Sequence, residues 1–452
     1  MRLTVPLTDR EALDPERVGP KAANLARLAQ AGLPTPGGTC IDAAAYRAQL
    51  SHLGLEEAAR EATGLADPRR RALEVRLALF QKPVAVPVLD AWQGGPAAVR
   101  SSALVEDRAG STCAGQFESY LGVETEADYL TAIRACWAAL WSVRALRYLA
   151  TRGIDSSRTA MAVLVQPFVA ARAAGGGLSR TPTGNPLLTA TPGGGSAIAQ
   201  GEVVPDRYLL DGDPVIDSQP GQAESPGCAH APRRAAPIRA ACLDRDEARE
   251  LFGLLRRAEA VFGHPIEIEW VLGDAGFQLV QARPLVLDTA DIVEPEPAPA
   301  PAPAGRTVRG QPAGVGRASG RACVVRCECE LSRVAPGDVL VTRVAGPGLS
   351  HVLPTVAAVV TELGGSTSHL ASLARERKIP MVLGAPEATL RIPDGVEIEV
   401  DGVRGIARWQ RRPRAFQSEG GPDGLRVGLA GRGTEGAGRD RGSRRPADEE
   451  AR

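Results

Sequence analysis

The run 361–384 carries a single histidine, His369, and its neighbours decide what that imidazole could do. Residues 356–361 are apolar and largely β-branched, the composition of a buried strand. Gly364 and Gly365 then interrupt the chain with a turn that glycine enters freely. Beyond them Leu370, Leu373 and Ala374 fall on one face of a helix that Lys378 and Pro380 bring to a close. His369 is therefore expected in the first turn of that helix, where free backbone N–H groups and the dipole favour an anion. An imidazole at such a place suits a covalent phosphoryl carrier. By position alone it would equally serve as a cap or a satisfied surface group.

The whole string resembles the phosphohistidine motif of the phosphoenolpyruvate-utilising dikinase family, the type of pyruvate phosphate dikinase, phosphoenolpyruvate synthase and rifampin phosphotransferase. Its fixed positions are met at Gly364, Gly365, Ser368, His369, Ala374, Arg375, Glu376, Ile379 and Pro380. Gly337 and Asp338 on the approach, and Asp394, Gly395, Asp401 and Gly402 on the exit, match as well.

A second resemblance, to the ATP-grasp domain of the same family, runs through the N-terminal part. Gly19, Pro20 and Lys21 stand where that domain opens with Gly-Gly-Lys. Val99, Arg100, Ser101, Ser102 and Ala103, with Glu106 and Asp107, match its Val-Arg-Ser-Ser-Ala…Glu-Asp. Gly115, Gln116 and Ser119 fall in its glycine-rich loop, Gln166 on the strand beside the adenine, and Glu269, Gln281 and Arg283 in its closing motif. The resemblances together cover residues 15–288 and 312–408. They imply that His369 is catalytic and that Lys21, Arg100, Gly115, Gln116, Ser119, Gln166, Glu269, Gln281 and Arg283 bind ATP. Lys21 and Arg100 would neutralise a polyphosphate, and Arg283 would fork onto phosphate oxygens. Backbone amides at Gly115 and Gln116 would cradle phosphates without adding charge. Glu269 and Gln281 offer hard oxygen ligands to Mg²⁺. Gln166 would read the nucleotide.

The activity implied is that of an ATP-dependent dikinase-type phosphotransferase. ATP would pyrophosphorylate His369, AMP and phosphate would leave, and the phosphoryl group would pass to an acceptor such as pyruvate or a small-molecule hydroxyl. Two alternatives stay open. The chain could form phosphohistidine for a separate acceptor-binding protein, or be a degenerate, non-catalytic nucleotide-binding relative. The departures that raise the second are Thr181, where the family has Asp or Asn in Phe-Thr-x-[Asp/Asn]-Pro, and Ser196, where Gly-Leu-Gly-Glu ends in Glu. Pro20 replaces the second glycine of the opening motif, and Cys113 stands where the loop often has Phe. No counterpart of the family's acceptor-binding domain is legible.

Stepping from residues to composition, 452 residues are too many for one core and predict two or three domains. Hydrophobic content of 44% and charged content of 23% are ordinary for a globular protein. With 53 basic and 53 acidic residues there is no global field to recruit nucleic acid or an anionic membrane. Lys21, Lys82 and Lys378 are the only lysines. Cys323, Cys327 and Cys329 cluster without zinc spacing and read as structural thiols. The N-terminus lacks an apolar leader and no window approaches a membrane span, so a cytoplasmic, reduced protein is expected.

The elements that must position the chemistry divide into an α/β (α+β) pair. An ATP-grasp domain is expected over 1–288 and a small β/β/α swivelling phosphohistidine domain over 310–410. Between them, 289–309 is a Pro/Ala linker whose alternating prolines, at 294–305, favour extended polyproline. The Gly- and Arg-rich stretch 411–452 lacks the apolar residues to fold and reads as a disordered tail. In the first block, periodicity predicts helices over 22–31 and 127–149, a strand over 162–169, and a hairpin of 267–272 and 277–280 turning at Gly273-Asp274.

Overall fold

The computed structural model describes residues 2–62, 68–106, 115–210, 216–219, 221, 241–287 and 306–409. The proline-alternating run 294–305 and the stretch 411–452 lie outside the described residues. Three sheets organise the chain.

The first is antiparallel and joins β1 (Thr4–Pro6), β2 (Thr39–Ile41), β3 (Ala97–Ala103), β4 (Ser119–Val123) and β5 (Met161–Pro167) in the order β1-β2-β5-β3-β4. Helices α1 (Pro15–Gln30), α2 (Ala43–His52), α3 (Glu56–Glu61), α4 (Pro68–Gln81), α5 (Glu126–Ala139) and α6 (Val143–Thr151) accompany it. Trp137 and Trp141 are wholly buried, and Trp141 Nε1 donates to Tyr46 Oη at 2.7 Å, satisfying the buried polar tip.

Two expectations are corrected here. The helix predicted at 22–31 starts at Pro15 and is broken at Gly19, whose φ of 74° and ψ of 153° are not helical. A Cβ on Gly19 would fall 2.2 Å from Ser102 O, so only glycine passes. Pro20 then opens the second half at the one helical position that needs no N–H. Ser102 Oγ donates to Val18 O at 2.7 Å and accepts from Ala22 N at 3.2 Å, tying both halves to β3. The single helix predicted over 127–149 is two helices, α5 and α6. Ser142 between them is extended, and its hydroxyl accepts from Ala145 N at 3.2 Å. An N-cap thus interrupts a run whose apolar spacing is continuous.

The second sheet is antiparallel too, and comprises β6 (Ala173–Leu178), β7 (Leu187–Pro192), β8 (Asp206–Leu210), β9 (Ile216–Gln219), β10 (Ile266–Gly273) and β11 (Gly276–Pro284), ordered β11-β10-β6-β7-β8-β9. Helices α7 (Ser196–Ala199) and α8 (Arg245–Phe262) belong to this part. The hairpin turn lies one residue later than predicted, at Asp274-Ala275, because Gly276 takes the positive φ of 88°.

The third sheet has eight strands: β12 (Thr307–Arg309), β13 (Gln311–Pro312), β14 (Arg317–Val325), β15 (Val339–Thr342), β16 (Ala358–Thr361), β17 (Met381–Leu383), β18 (Glu397–Asp401) and β19 (Ile406–Trp409). Its order is β12-β19-β18-β14-β15-β16-β17-β13, with β14 to β17 parallel. The end strands β12 and β13 are separated only by Gly310, so the sheet curls until its two edges adjoin. Helices α9 (His369–Glu376) and α10 (Ala388–Arg391) complete this block.

Candidate active site

His369 is the first residue of α9, with Ser368 as an extended N-cap whose hydroxyl accepts from Ala371 N at 3.3 Å. The strand, double-glycine turn and helix start are those the sequence predicts. Gly364 has a φ of 101°, and a Cβ there would meet Ala345 at 2.9 Å. His369 is partly buried and packs on the first block. A Cβ added to Gly115 would lie 3.4 Å from His369 Cβ, so Gly115 adjoins the histidine.

β10 and β11 build the floor of the site. Their register sets Glu267 opposite Arg283 and Glu269 opposite Gln281, and alternation puts all four on one face. Arg100, from β3 of the other sheet, bridges to this face. One of its terminal nitrogens donates to Glu269 Oε2 at 2.9 Å and Gln281 Oε1 at 3.0 Å, and the other to Val280 O at 2.6 Å. Its Nε has no partner among the described residues. Lys21, just past the break in α1, is buried and held by Glu106 Oε1 at 2.7 Å and Ser101 O at 2.9 Å. Ser119 lies opposite Arg100 on the exposed edge strand β4. Gln116 is buried, and its carbonyl accepts from Arg144 at 3.1 Å.

The electrostatics follow from this crowding. Burial would raise the Glu269 carboxyl, but Arg100 beside it, with His369, Arg283 and Lys21 in range, holds it down at about 2. Burial pushes the His369 imidazole down to about 4, and the positive Arg283 and Lys21 add to this against the attraction of Glu269 and Glu267. The imidazole is thus neutral at pH 7 and keeps a nucleophilic lone pair.

Of the residues singled out in the sequence, His369, Lys21, Arg100, Gly115, Glu269, Gln281 and Arg283 gather around one locus, with Gln116 and Ser119 at its rim. Gln166 is joined instead to the turn at 37–38, its amide donating to Gly37 O at 2.9 Å. Thr181 closes the β6–β7 connection, bonded to Asn185 and Thr183, and Ser196 opens the short α7.

Sequence reasoning missed Glu267 and Ser372, and placed Arg375 in the motif without giving it a role. Glu267 is buried and takes Ser372 Oγ at 2.9 and 3.0 Å, Arg375 at 2.9 Å and Arg283 at 3.1 Å. Arg283 also donates to Ser372 Oγ at 2.8 Å. Ser372 and Arg375 come from α9, so this network ties the histidine helix to the floor. Burial works to raise the Glu267 carboxyl, and the two guanidiniums outweigh it and keep it low. The available signal was the Glu-x-Glu alternation of β10. A further seat is Gly176 on β6, where an added Cβ would lie 2.6 Å from Thr367 Cβ; Thr367 Oγ1 meets Thr189 Oγ1 at 2.5 Å.

The oxygens this site offers to a cation of the Mg²⁺ type are those of Glu269 and Gln281. Two hard oxygens, from an ionised carboxylate and an amide, converge on one positive nitrogen of Arg100. That donor set fits such an ion. Among the described residues no cluster of three or more His, Cys, Asp or Glu groups could hold a metal, and no helix is long and apolar enough to cross a membrane.

With this geometry in place, the comparisons with known proteins are informative. Residues 15–299 match the family described as pyruvate phosphate dikinase, AMP/ATP-binding domain. Residues 334–405 match the family described as PEP-utilising enzyme, mobile domain. The phosphoenolpyruvate synthase of Aeropyrum pernix is 31% identical, over 86% of this chain and 56% of its own length. A probable phosphoenolpyruvate synthase of Archaeoglobus fulgidus is 30% identical, over 88% of this chain and 57% of its own. The phosphoenolpyruvate synthase of Pyrococcus furiosus is 27% identical, over 86% and 56%. The chain therefore spans little more than half the length of these relatives.

Proposed function

The chain belongs to the pyruvate phosphate dikinase family, and from that premise we propose that it is an ATP-dependent phosphotransferase that phosphorylates its own His369. The observation that carries this reading is the adjacency of His369 and Gly115, over a face bearing Glu269, Gln281 and Arg283.

ATP lies between the first two sheets. Neutral His369 attacks the β-phosphorus, the bond from that phosphorus to the α-phosphate bridging oxygen breaks, and AMP leaves. The γ-phosphate is then released to water or phosphate, leaving phosphohistidine. Lys21, Arg100 and Arg283 face the charge that accumulates on the phosphate oxygens, and the unpartnered Arg100 Nε supplies one more donor. Gly115 and Gln116 offer backbone amides without charge. Glu269 and Gln281 would hold Mg²⁺, whose contribution when bound is to neutralise and orient the triphosphate. The buried ion pairs of Lys21 and Glu267 keep these groups aimed before substrate arrives.

The phosphoryl group then passes to an acceptor such as pyruvate or a small-molecule hydroxyl. The chain covers little more than half the length of its relatives, and the second reading is that this chain forms phosphohistidine for a separate acceptor-binding protein. A cytoplasmic setting with no nucleic-acid or membrane partner accords with the balanced charge.

The test is incubation with ATP labelled at the β-phosphate and Mg²⁺, followed by intact mass. An acid-labile adduct on the wild type and none on His369→Ala is expected. An equal adduct on the alanine variant overturns the assignment.

A further inference from the structure

α9 carries more than the histidine. Glu376 lies seven residues, about two turns, beyond His369 and so on the same side of the helix. Its side chain is fully covered, forms an ion pair with Arg152 and accepts from Tyr148 Oη at 2.9 Å. Both partners belong to α6 and its C-cap, an element whose other link to the site is Arg144, which donates to Gln116 O. The Arg152 guanidinium lies 5.7 Å from the Tyr148 ring centroid, so the two form one receptor. Arg377, next along, is a cation whose pKa is held down by burial and by the charge of Arg152. The Glu376 carboxylate therefore enters a positive corner.

We propose that Glu376, Tyr148 and Arg152 form a docking latch that fixes how His369 is presented to the phosphate site, with Glu376 as a positioning residue. The proposal rests on the reading of His369 as the carrier. A helix pinned only at Ser372 and Arg375 could still pivot about Glu267. The latch holds the end about 10 Å along the axis from the histidine, and with it the angle at which the imidazole meets the triphosphate. An ion pair is also a reversible tie. Once the block has moved away, Glu376 and Arg152 return to water, and neither is left buried and unpaired.

The experiment uses the full chain with Glu376→Gln, Arg152→Glu, and the exchanged pair Glu376→Arg with Arg152→Glu. One readout is amide hydrogen exchange of α6 and α9 without nucleotide. The other is the single-turnover rate of His369 phosphorylation against ATP concentration. Circular dichroism and binding of a fluorescent ATP analogue check the fold. Glu376→Gln is expected to raise exchange in both helices and slow phosphorylation at saturating ATP on the order of tenfold, with half-saturation within about twofold. Arg152→Glu should do the same, and the exchanged pair should recover much of the loss. Wild-type protection and rate in Glu376→Gln, or an exchanged pair no better than Arg152→Glu alone, would overturn the latch. If no variant, nor the wild type, phosphorylates His369, the carrier reading fails, and the exchange measurement still decides whether α6 and α9 are latched.

Discussion

The charge state of His369 ties docking to pH. Its imidazole is neutral in the docked site, with a pKa down at about 4 against the usual value of about 6.5. Away from the site it would take up a proton first. The docked arrangement is therefore fully favoured above about pH 6.5 and is progressively lost as the pH falls toward 4. Hydrogen exchange of α9 without nucleotide or metal should rise over that window, and His369→Asn should flatten the dependence. Glu269 is the second test. Its ionised carboxylate faces Arg100, and Glu269→Gln keeps the size while removing the charge. Loss of labelling on the order of a hundredfold is expected, with circular dichroism unchanged. Labelling at the wild-type rate would show that the metal and triphosphate are held elsewhere. These residues were legible because each sits in a spaced motif. Glu267 and Ser372 were not read as functional, and Arg375 only as a motif position, because their roles depend on two distant segments meeting face to face.

At the scale of elements, Gly176 makes the clearest prediction. β6 lies beneath Thr367, and a methyl group there would need to occupy space 2.6 Å from Thr367 Cβ. Gly176→Ala should leave the sheet formed but lift the histidine turn, at an overpacking cost of about 1–3 kcal/mol. The expected readout is slowed labelling with unchanged binding of an ATP analogue. Loss of both would mean that β6 itself has failed. Element types were largely readable. The strand–glycine–helix around His369 and the β10–β11 hairpin follow from β-branched runs and turn residues. The first turns of α1 before Gly19 and the break between α5 and α6 were not, the former for want of apolar spacing and the latter because apolar spacing runs through it. Gly19 is forced by the Ser102 carbonyl from a strand some 80 residues away, a tertiary cause.

For the whole molecule, the share of the relatives covered gives the prediction. With ATP alone the chain should release about one AMP per molecule and stop, since phosphohistidine has nowhere to go. A rapid-quench count of AMP checks this, and steady AMP production without acceptor would contradict a stable phosphohistidine. The proline-rich run, which lies outside the described residues, is proposed as the arm of the swivel. Deleting 297–302 should slow onward transfer more than ATP binding; unchanged transfer would refute the arm. The two-block reading came from composition, yet the mode in which the blocks meet depends on side chains such as Ser372, which looks like an ordinary polar helix position. On the proposed swivel, the histidine block would leave its seat and travel through solvent. An open sheet would then offer unpaired amides to any neighbouring strand. The third sheet has β12 and β13 brought together across Gly310, where a Cβ would strike Leu383 O at 2.3 Å and where Gly310 N donates to Gly405 O at 2.9 Å. Its two end strands adjoin in the chain, so on the proposed swivel the two edges would travel side by side rather than at opposite ends of an open ribbon.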